Sequence, residues 1–273
     1  PLVWIVPIFS LGADAPYENM GTIQTKGWEL AIDYRHTFKN GLHFGVTASV
    51  ADDKTEVTKW TYNTKIPSYG ATGWWDKSAY KEGMVLGDIW GLQFDRFLTE
   101  DDFNADGSLK AGLPDQTKVF PAGYQFAPGD VLYKDLDNNG EIVKQTNTND
   151  KGDLSVIGNA LPRLQFGLNL DAAWKGFDIS MFFQGVAKRK LWAAGNQVLP
   201  GFTTGEPFYK GAEDYWTPEN TDAFYPRPMD YKQSASGNYS VNDRYLLNMA
   251  YLRLKTFTVG YSLPKVWLSK FKV

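Results

Sequence analysis

Cysteine is absent from this chain of 273 residues. Disulfide frameworks, thiol catalysis and cysteine-ligated metal are therefore excluded together. Histidine is scarce as well. His36 and His43 are the only two, and they build neither a Ser-His-Asp arrangement nor a zinc spacing. No run of about eighteen apolar residues occurs, which rules out a helical membrane span. That exclusion does not reach β-barrels, whose strands are only half apolar and give a weak signal per segment. A basic field is missing too. Lys and Arg number 28 against 31 Asp and Glu, a net charge of −3, so nucleic acid has no electrostatic footprint to meet. The Gly-rich segments match no phosphate-binding loop. Solenoid repeats and low-complexity tracts are absent. Glu213 and Asp214 could in principle serve a glycosidase, but with 31 acidic residues such neighbours arise by chance. No catalytic residue is assigned, and the chain does not read as an enzyme.

Aromatic residues are abundant, at 15% with 10 Trp and 15 Tyr. Amphipathic rings suit membrane–water interfaces and sugar-binding surfaces. Two stretches alternate with period two, the mark of a strand. From Gly27 to Val50, Trp28, Leu30, Ile32, Tyr34 and Phe38 share one face against Glu29, Asp33, Arg35 and Thr37. Past Lys39-Asn40-Gly41, a strong hairpin signal, Leu42, Phe44, Val46, Ala48 and Val50 resume the apolar face. From Arg163 to Gly185, Leu164, Phe166, Leu168, Leu170, Ala172 and Trp174 oppose Arg163, Gln165, Asn169, Asp171 and Lys175. After Lys175-Gly176 the apolar face continues through Phe177, Ile179, Met181 and Phe183.

These strands run to about ten residues or more, whereas a globular strand has about five or six and a bilayer needs about nine to eleven. The connections are lopsided. Tight turns close one end of each hairpin, while roughly residues 61–162 and 190–250 wander through Gly, Pro, Asp, Asn and Trp. Outer-membrane barrels combine short turns with long extracellular loops in this way. Tyr251 to Ser262 predicts a further strand whose phase slips: Leu252 and Leu254 are on one parity, Phe257, Val259 and Tyr261 on the other. A β-bulge would account for the slip, as would a strand that leaves a plug of loops before entering lipid. If the apolar parity faces lipid, then Asp33, Arg35, Asn169 and Asp171 line a wet lumen. The competing architecture is a secreted carbohydrate-binding β-sandwich, with the same parity packed in a core.

Several motifs in order resemble the SusC/RagA family of TonB-dependent outer-membrane transporters. They are Ala15 to Leu30 with its Lys-Gly-Trp-Glu-Leu end, Gly83 to Gly91, Pro128 to Gly140, Val156 to Arg163, Tyr215 to Asn220 and Tyr251 to Pro264. The resemblance implies an all-β fold, an antiparallel transmembrane β-barrel of about 22 strands, of which this chain would be an arc with long extracellular loops. Residues 1–273 would be a fragment of a single barrel domain, with the N-terminal plug domain and the final strands absent. The resemblance further implies a multi-pass protein of a Gram-negative outer membrane that imports oligomeric nutrients. Glycans come first and peptides of the RagA type second. Its partners would be a SusD-like surface lipoprotein, TonB acting through the missing plug, membrane lipid and the oligosaccharide or peptide itself, with the transporter–lipoprotein complex able to form a dimer.

One loop offers a cation site. Asp135-Leu-Asp137-Asn-Asn139-Gly140 matches the first half of a calcium loop, with oxygen ligands at alternate positions and Gly for the sharp turn. Glu141 follows as a further oxygen donor. Thr146 stands where a bidentate Glu is expected, and Asp150 or Asp153 could complete a different Ca2+ site. The simpler alternative is a metal-free loop of Asx turns. Asp101, Asp102, Asn104, Asp106 and Gly107 give a weaker match and read as a solvated loop. Trp74, Trp75, Trp90, Trp192 and Trp216 fall in the long connections. They could stack on sugar rings or peptide side chains, and packing of the loops against one another is the preferred alternative.

Overall fold

The structure is a computed structural model. It describes residues 2–4, 17–19, 21–60, 82–144, 151–193, 195, 197–201, 209–229 and 237–264. The strands in chain order are β1 (Leu2–Trp4), β2 (Tyr17–Asn19), β3 (Gly21–Thr37), β4 (His43–Trp60), β5 (Asp88–Gly91), β6 (Phe94–Phe97), β7 (Val131–Tyr133) and β8 (Ser155–Asn159). They are followed by β9 (Arg163–Trp174), β10 (Phe177–Lys188), β11 (Lys190–Leu191), β12 (Leu247–Asn248) and β13 (Tyr251–Tyr261). Helix is nearly absent among the described residues, the clearest piece being a 3₁₀ turn at Glu100–Asp102.

Five strands form one sheet in the order β13-β10-β9-β4-β3. They are 11 to 18 residues long, enough to cross a bilayer at a tilt. The turns that join them follow from local chemistry. Lys175 and Gly176 both have positive φ (49° and 89°), the pattern of a two-residue type I′ turn, whose twist matches that of the flanking strands. At the other hairpin, Gly41 has a φ of 81°, and the Asn40 side chain accepts a hydrogen bond from the Leu42 N–H at 3.1 Å.

Register carries the two faces across the sheet. Val46 lies opposite Leu170, Leu170 opposite Met181, and Met181 opposite Phe257. One step along, Thr47, Asn169, Phe182 and Thr256 form the next row. The register between β10 and β13 shifts at one place, with Phe182 facing Thr256 and Phe183 facing Leu254. Lys255 is the extra residue of a β-bulge. The bulge returns Leu252 and Leu254 to the face of Phe257, Val259 and Tyr261, and so explains the phase slip in the sequence.

The apolar face of this sheet is left uncovered on its edge strands, where both faces are accessible. Trp28, Leu30, Ile32 and Tyr34 are each more than half exposed, and Leu252, Phe177 and Val259 exceed 60%. Such a continuous apolar surface is unfavourable in water by about 25 cal/mol per Å² and marks a membrane or partner surface.

The chain divides into two compact units. The sheet unit comprises Thr25–Thr55, Leu161–Arg189 and Asn248–Val273. The loop unit comprises Pro1–Gln24, Glu56–Ala160 and Lys190–Leu247. The loop unit has an ordinary buried core in which Leu92, Val131, Tyr133, Ile142 and Leu154 are all but inaccessible. Short pairings frame it, β5 with β8 and β6 with β7. Asp130, fully buried, ties three stretches of the loop unit together. It accepts hydrogen bonds from Tyr124 Oη (2.9 Å), Asn238 Nδ2 (3.0 Å), Arg227 Nε (2.8 Å) and the Ala127 N–H (2.9 Å). A buried charge is tolerated when it is paired and hydrogen-bonded in this way.

Candidate functional site

Three places hold candidate chemistry: the polar face of the sheet, the carboxylate loop, and a cavity in the loop unit.

On the polar face, β3 and β4 bring Asp33 to Thr47, whose hydroxyl donates to Asp33 Oδ2 at 2.6 Å. Arg35 pairs with Asp33 at 3.3 Å, and both remain well exposed. Thr47 faces Asn169 across β4 and β9, and Gly45 faces Asp171. Gly45 leaves room there for the Asp171 carboxylate, whose two oxygens lie 2.5 Å from where a Cβ would sit and would have to turn aside for a larger residue. Asp33, Arg35, Asn169 and Asp171 therefore share one face of adjacent strands. The arrangement is a mixed-charge polar face, and none of these four residues is an activated nucleophile.

In the loop after β7, Asp135, Asp137 and Asp153 bring carboxylate oxygens within 4.8 Å of one another. Asp153 supplies the third carboxylate, one of the two completions the sequence suggests; Thr146 and Asp150 lie outside the described residues. Asn139 and Glu141 are engaged elsewhere. The Asn139 side chain donates to Asp137 and accepts from the Glu141 N–H, and Glu141 forms an ion pair with Lys118. The three aspartates are already used by the loop itself. Asp135 accepts from the N–H groups of Asn139 and Gly140, Asp137 from that of Asn139, and Asp153 from those of Leu136 and Val143. Burial, followed by the negative charges of Asp137 and Asp135, pushes the Asp153 carboxyl above its usual range. The donor set suits a hard cation such as Ca2+, and the Asx-turn hydrogen bonds account for the loop without one.

The weaker aspartate stretch has structural duties. Asp102 receives a two-pronged bond from Arg96 (2.6 and 2.7 Å) and caps the Thr99 N–H at 2.7 Å. Asp106 binds the hydroxyl and N–H of Ser108. The tryptophans of the long connections are mostly packed. Trp90 and Trp216 belong to the main cluster, and Trp192 lies against a second one. Trp74 and Trp75 fall outside the described residues.

No motif in the sequence singles out the cavity. It measures about 650 Å³ and is walled by Tyr209, Tyr215, Tyr225 and Tyr239 with three prolines. Its residues are spread from Pro200 to Tyr239. The one signal in the sequence is the density of Tyr and Pro there, since the walls meet only after folding.

No protein-family profile matches the chain. Two curated relatives do, both from Formosa agariphila. "TonB-dependent receptor P3" is 25% identical over 268 residues, covering 95% of this chain and 24% of the relative. "TonB-dependent receptor P26" is 25% identical over 270 residues, covering 93% of this chain and 23% of the relative. The chain thus spans about a quarter of the length of these relatives. Among solved structures, that of the RagAB peptide transporter aligns with a TM-score of 0.63 at 15% identity, covering all of this chain and 26% of that one. The RagAB peptide importer in its open-open state aligns at 0.57 with 15% identity, over 98% of this chain and 25% of that one. The resemblance read from the motifs is borne out over nearly the whole chain, and so is the all-β, partial-barrel fold. Both curated relatives are receptors rather than enzymes, which sets the hydrolase reading aside.

Proposed function

We propose that this chain is a stretch of wall and surface loops from a TonB-dependent outer-membrane transporter of the SusC/RagA kind. One observation carries the reading: a five-stranded sheet gathers apolar side chains on one face, left exposed at Trp28, Leu30 and Ile32 on one edge strand and at Leu252, Phe257 and Val259 on the other, and sets Asp33, Arg35 and Asp171 on the opposite face. A water-soluble sandwich would bury that face; a barrel turns it to lipid and keeps the polar face wet. Residues 1–273 are then part of a single barrel domain. Further strands continue β3 and β13, because a bilayer leaves no backbone N–H or C=O of a sheet edge unpaired.

The protein would import an oligomeric nutrient across the outer membrane. A SusD-like lipoprotein captures the oligomer at the surface, and TonB moves the plug at the expense of the inner-membrane proton gradient. Asp33, Arg35, Asn169 and Asp171 contribute hydrated polar groups to the lumen wall. Glycans are the cargo class that the family resemblance puts first. Peptides are the second reading, supported by the likeness in fold to the RagAB peptide transporter.

The test is to fractionate cells expressing the complete protein, run the outer-membrane fraction with and without boiling, and follow uptake of labelled oligomers. Heat-modifiable migration, with uptake abolished by an uncoupler, is expected. A soluble product that binds sugar without detergent would overturn the proposal in favour of the sandwich.

A further inference from the structure

Rings border the apolar face of the sheet at its tight-turn end. Trp174, Phe177 and Tyr261 stand opposite one another on β9, β10 and β13, and the Phe177 and Tyr261 rings meet at 4.5 Å. On β3, His36 stacks on Tyr34 at 6.4 Å and meets Phe38 edge-on at 4.6 Å. All six rings are exposed. Amphipathic rings at the end of a barrel strand mark the level of the lipid headgroups.

The turns beside these rings are held next to one another. Trp174 Nε1 donates to the Asn40 carbonyl at 3.3 Å, which links the β3–β4 turn to β9. The Ser262 N–H donates to the Gly176 carbonyl at 2.7 Å, which links the β9–β10 turn to the end of β13. Each turn carries a lysine, Lys39 in the first and Lys175 in the second. Lys175 Nζ lies 4.5 Å from the centre of the Trp174 ring, so a cation–π contact draws this ammonium toward the apolar side. Neither lysine forms an ion pair with a described residue.

The signs of charge are sorted at this end. Neither turn contains a carboxylate, and none stands on the apolar parity of the strand ends that flank them. The nearby acids, Asp33, Asp171 and Asp178, belong to the polar face. Asp33 is bonded there to Thr47, and Asp171 and Asp178 face Gly45 and Ala173. Two ammonium groups thus stand beside a border of rings, with the opposing charge on the far side of the sheet.

We propose that this end of the sheet binds the headgroup of a phospholipid of net negative charge. Lys39 and Lys175 meet its phosphate as point charges, and His36 offers a ring nitrogen to its remaining oxygens. The acyl chains run along the apolar face past Phe177 and Trp174. The conjunction of cations, rings and apolar surface selects this occupant. A soluble anion would use the lysines and gain nothing from the rings. A zwitterionic headgroup brings an ammonium of its own to the same cations and is the weaker ligand. The inference rests on the barrel reading, which sets the tight turns on the periplasmic side, where phospholipid forms the leaflet.

The experiment places one cysteine in the complete transporter, Val259→Cys, two residues along the apolar face from Tyr261, and labels it with bimane. The protein is reconstituted in phosphatidylcholine vesicles that contain a small fraction of chain-brominated lipid, either phosphatidylglycerol or phosphatidylcholine. At equal mole fraction, brominated phosphatidylglycerol is expected to quench at least about threefold more strongly, as enrichment beside two basic residues requires. Lys39→Gln and Lys175→Gln should each remove part of that preference, and the double variant all of it, while quenching by brominated phosphatidylcholine stays unchanged. Inorganic phosphate, added at the ionic strength of a chloride control, should not reduce the preference further than chloride does. Equal quenching by the two lipids, a preference that survives the double variant, or specific displacement by phosphate would overturn the site and leave the barrel standing. Absence of quenching by either lipid would instead remove the barrel reading on which the site rests.

Discussion

At the residue scale, the loop unit is held by a few charges whose partners lie far apart in sequence. Asp130 is fully buried and serves as the common acceptor for Tyr124, Arg227 and Asn238. Asp130→Ala would strand all three, and breaking a buried pair from one side costs about 3–5 kcal/mol. Hydrogen exchange over residues 124–131, 227–229 and 237–238 should accelerate accordingly. Asp33→Ala, which removes one half of an exposed pair, should cost less than about 1 kcal/mol and leave exchange unchanged. Asp102 gives a pH dependence with a definite sign. The Arg96 bond, helped by the Thr99 N–H, lowers its pKa from 3.8 to about 2. The folded state therefore favours the ionised form, and this contribution is complete above 3.8 and lost as pH falls through about 2. Proteolysis of the loop unit should rise over that acid window, and Asp102→Asn should flatten the rise. Little of this was legible in the sequence. In the sequence Asp102 falls in a weak cation motif because its neighbours are acidic, and only the fold reveals Arg96 opposite it.

At the scale of the element, the long strands were legible almost completely. Alternation from Trp28 to Phe38 and from Leu164 to Phe183 predicts both hairpins, and Asn-Gly and Lys-Gly mark the turns that the backbone adopts. The reason is physical: a strand with one face in lipid must alternate at every step, so its pattern is written locally. The slip before Phe257 was legible as a slip, and Lys255 resolves it as a bulge. The tyrosine cavity was not legible, because its walls come from turns separated by up to about forty residues and share no period. The two faces make a prediction at this scale. Leu170 stands in the apolar row with Val46, Met181 and Phe257; Asn169 stands in the polar row beside it. Leu170→Arg should cost about 2–4 kcal/mol, the penalty for a cation on the lipid face near mid-bilayer, and lower the yield of folded protein in the outer membrane. Asn169→Arg should assemble normally.

At the scale of the whole molecule, the account rests on where the apolar face points. This chain contains no cysteine, so each introduced thiol is unique within it. Single cysteines placed along β9 from Gln165 to Ala172, one per variant of the complete transporter, can carry a bimane fluorophore in vesicles made with or without bromine on the lipid chains. Fluorescence at 166, 168, 170 and 172 should be strongly quenched by brominated lipid, while 165, 167, 169 and 171 should report water and escape quenching. An alternation of that period, in lipid, is what a barrel wall must show. Uniform protection from brominated lipid at both sets of positions would contradict the account and place the apolar face in a protein core.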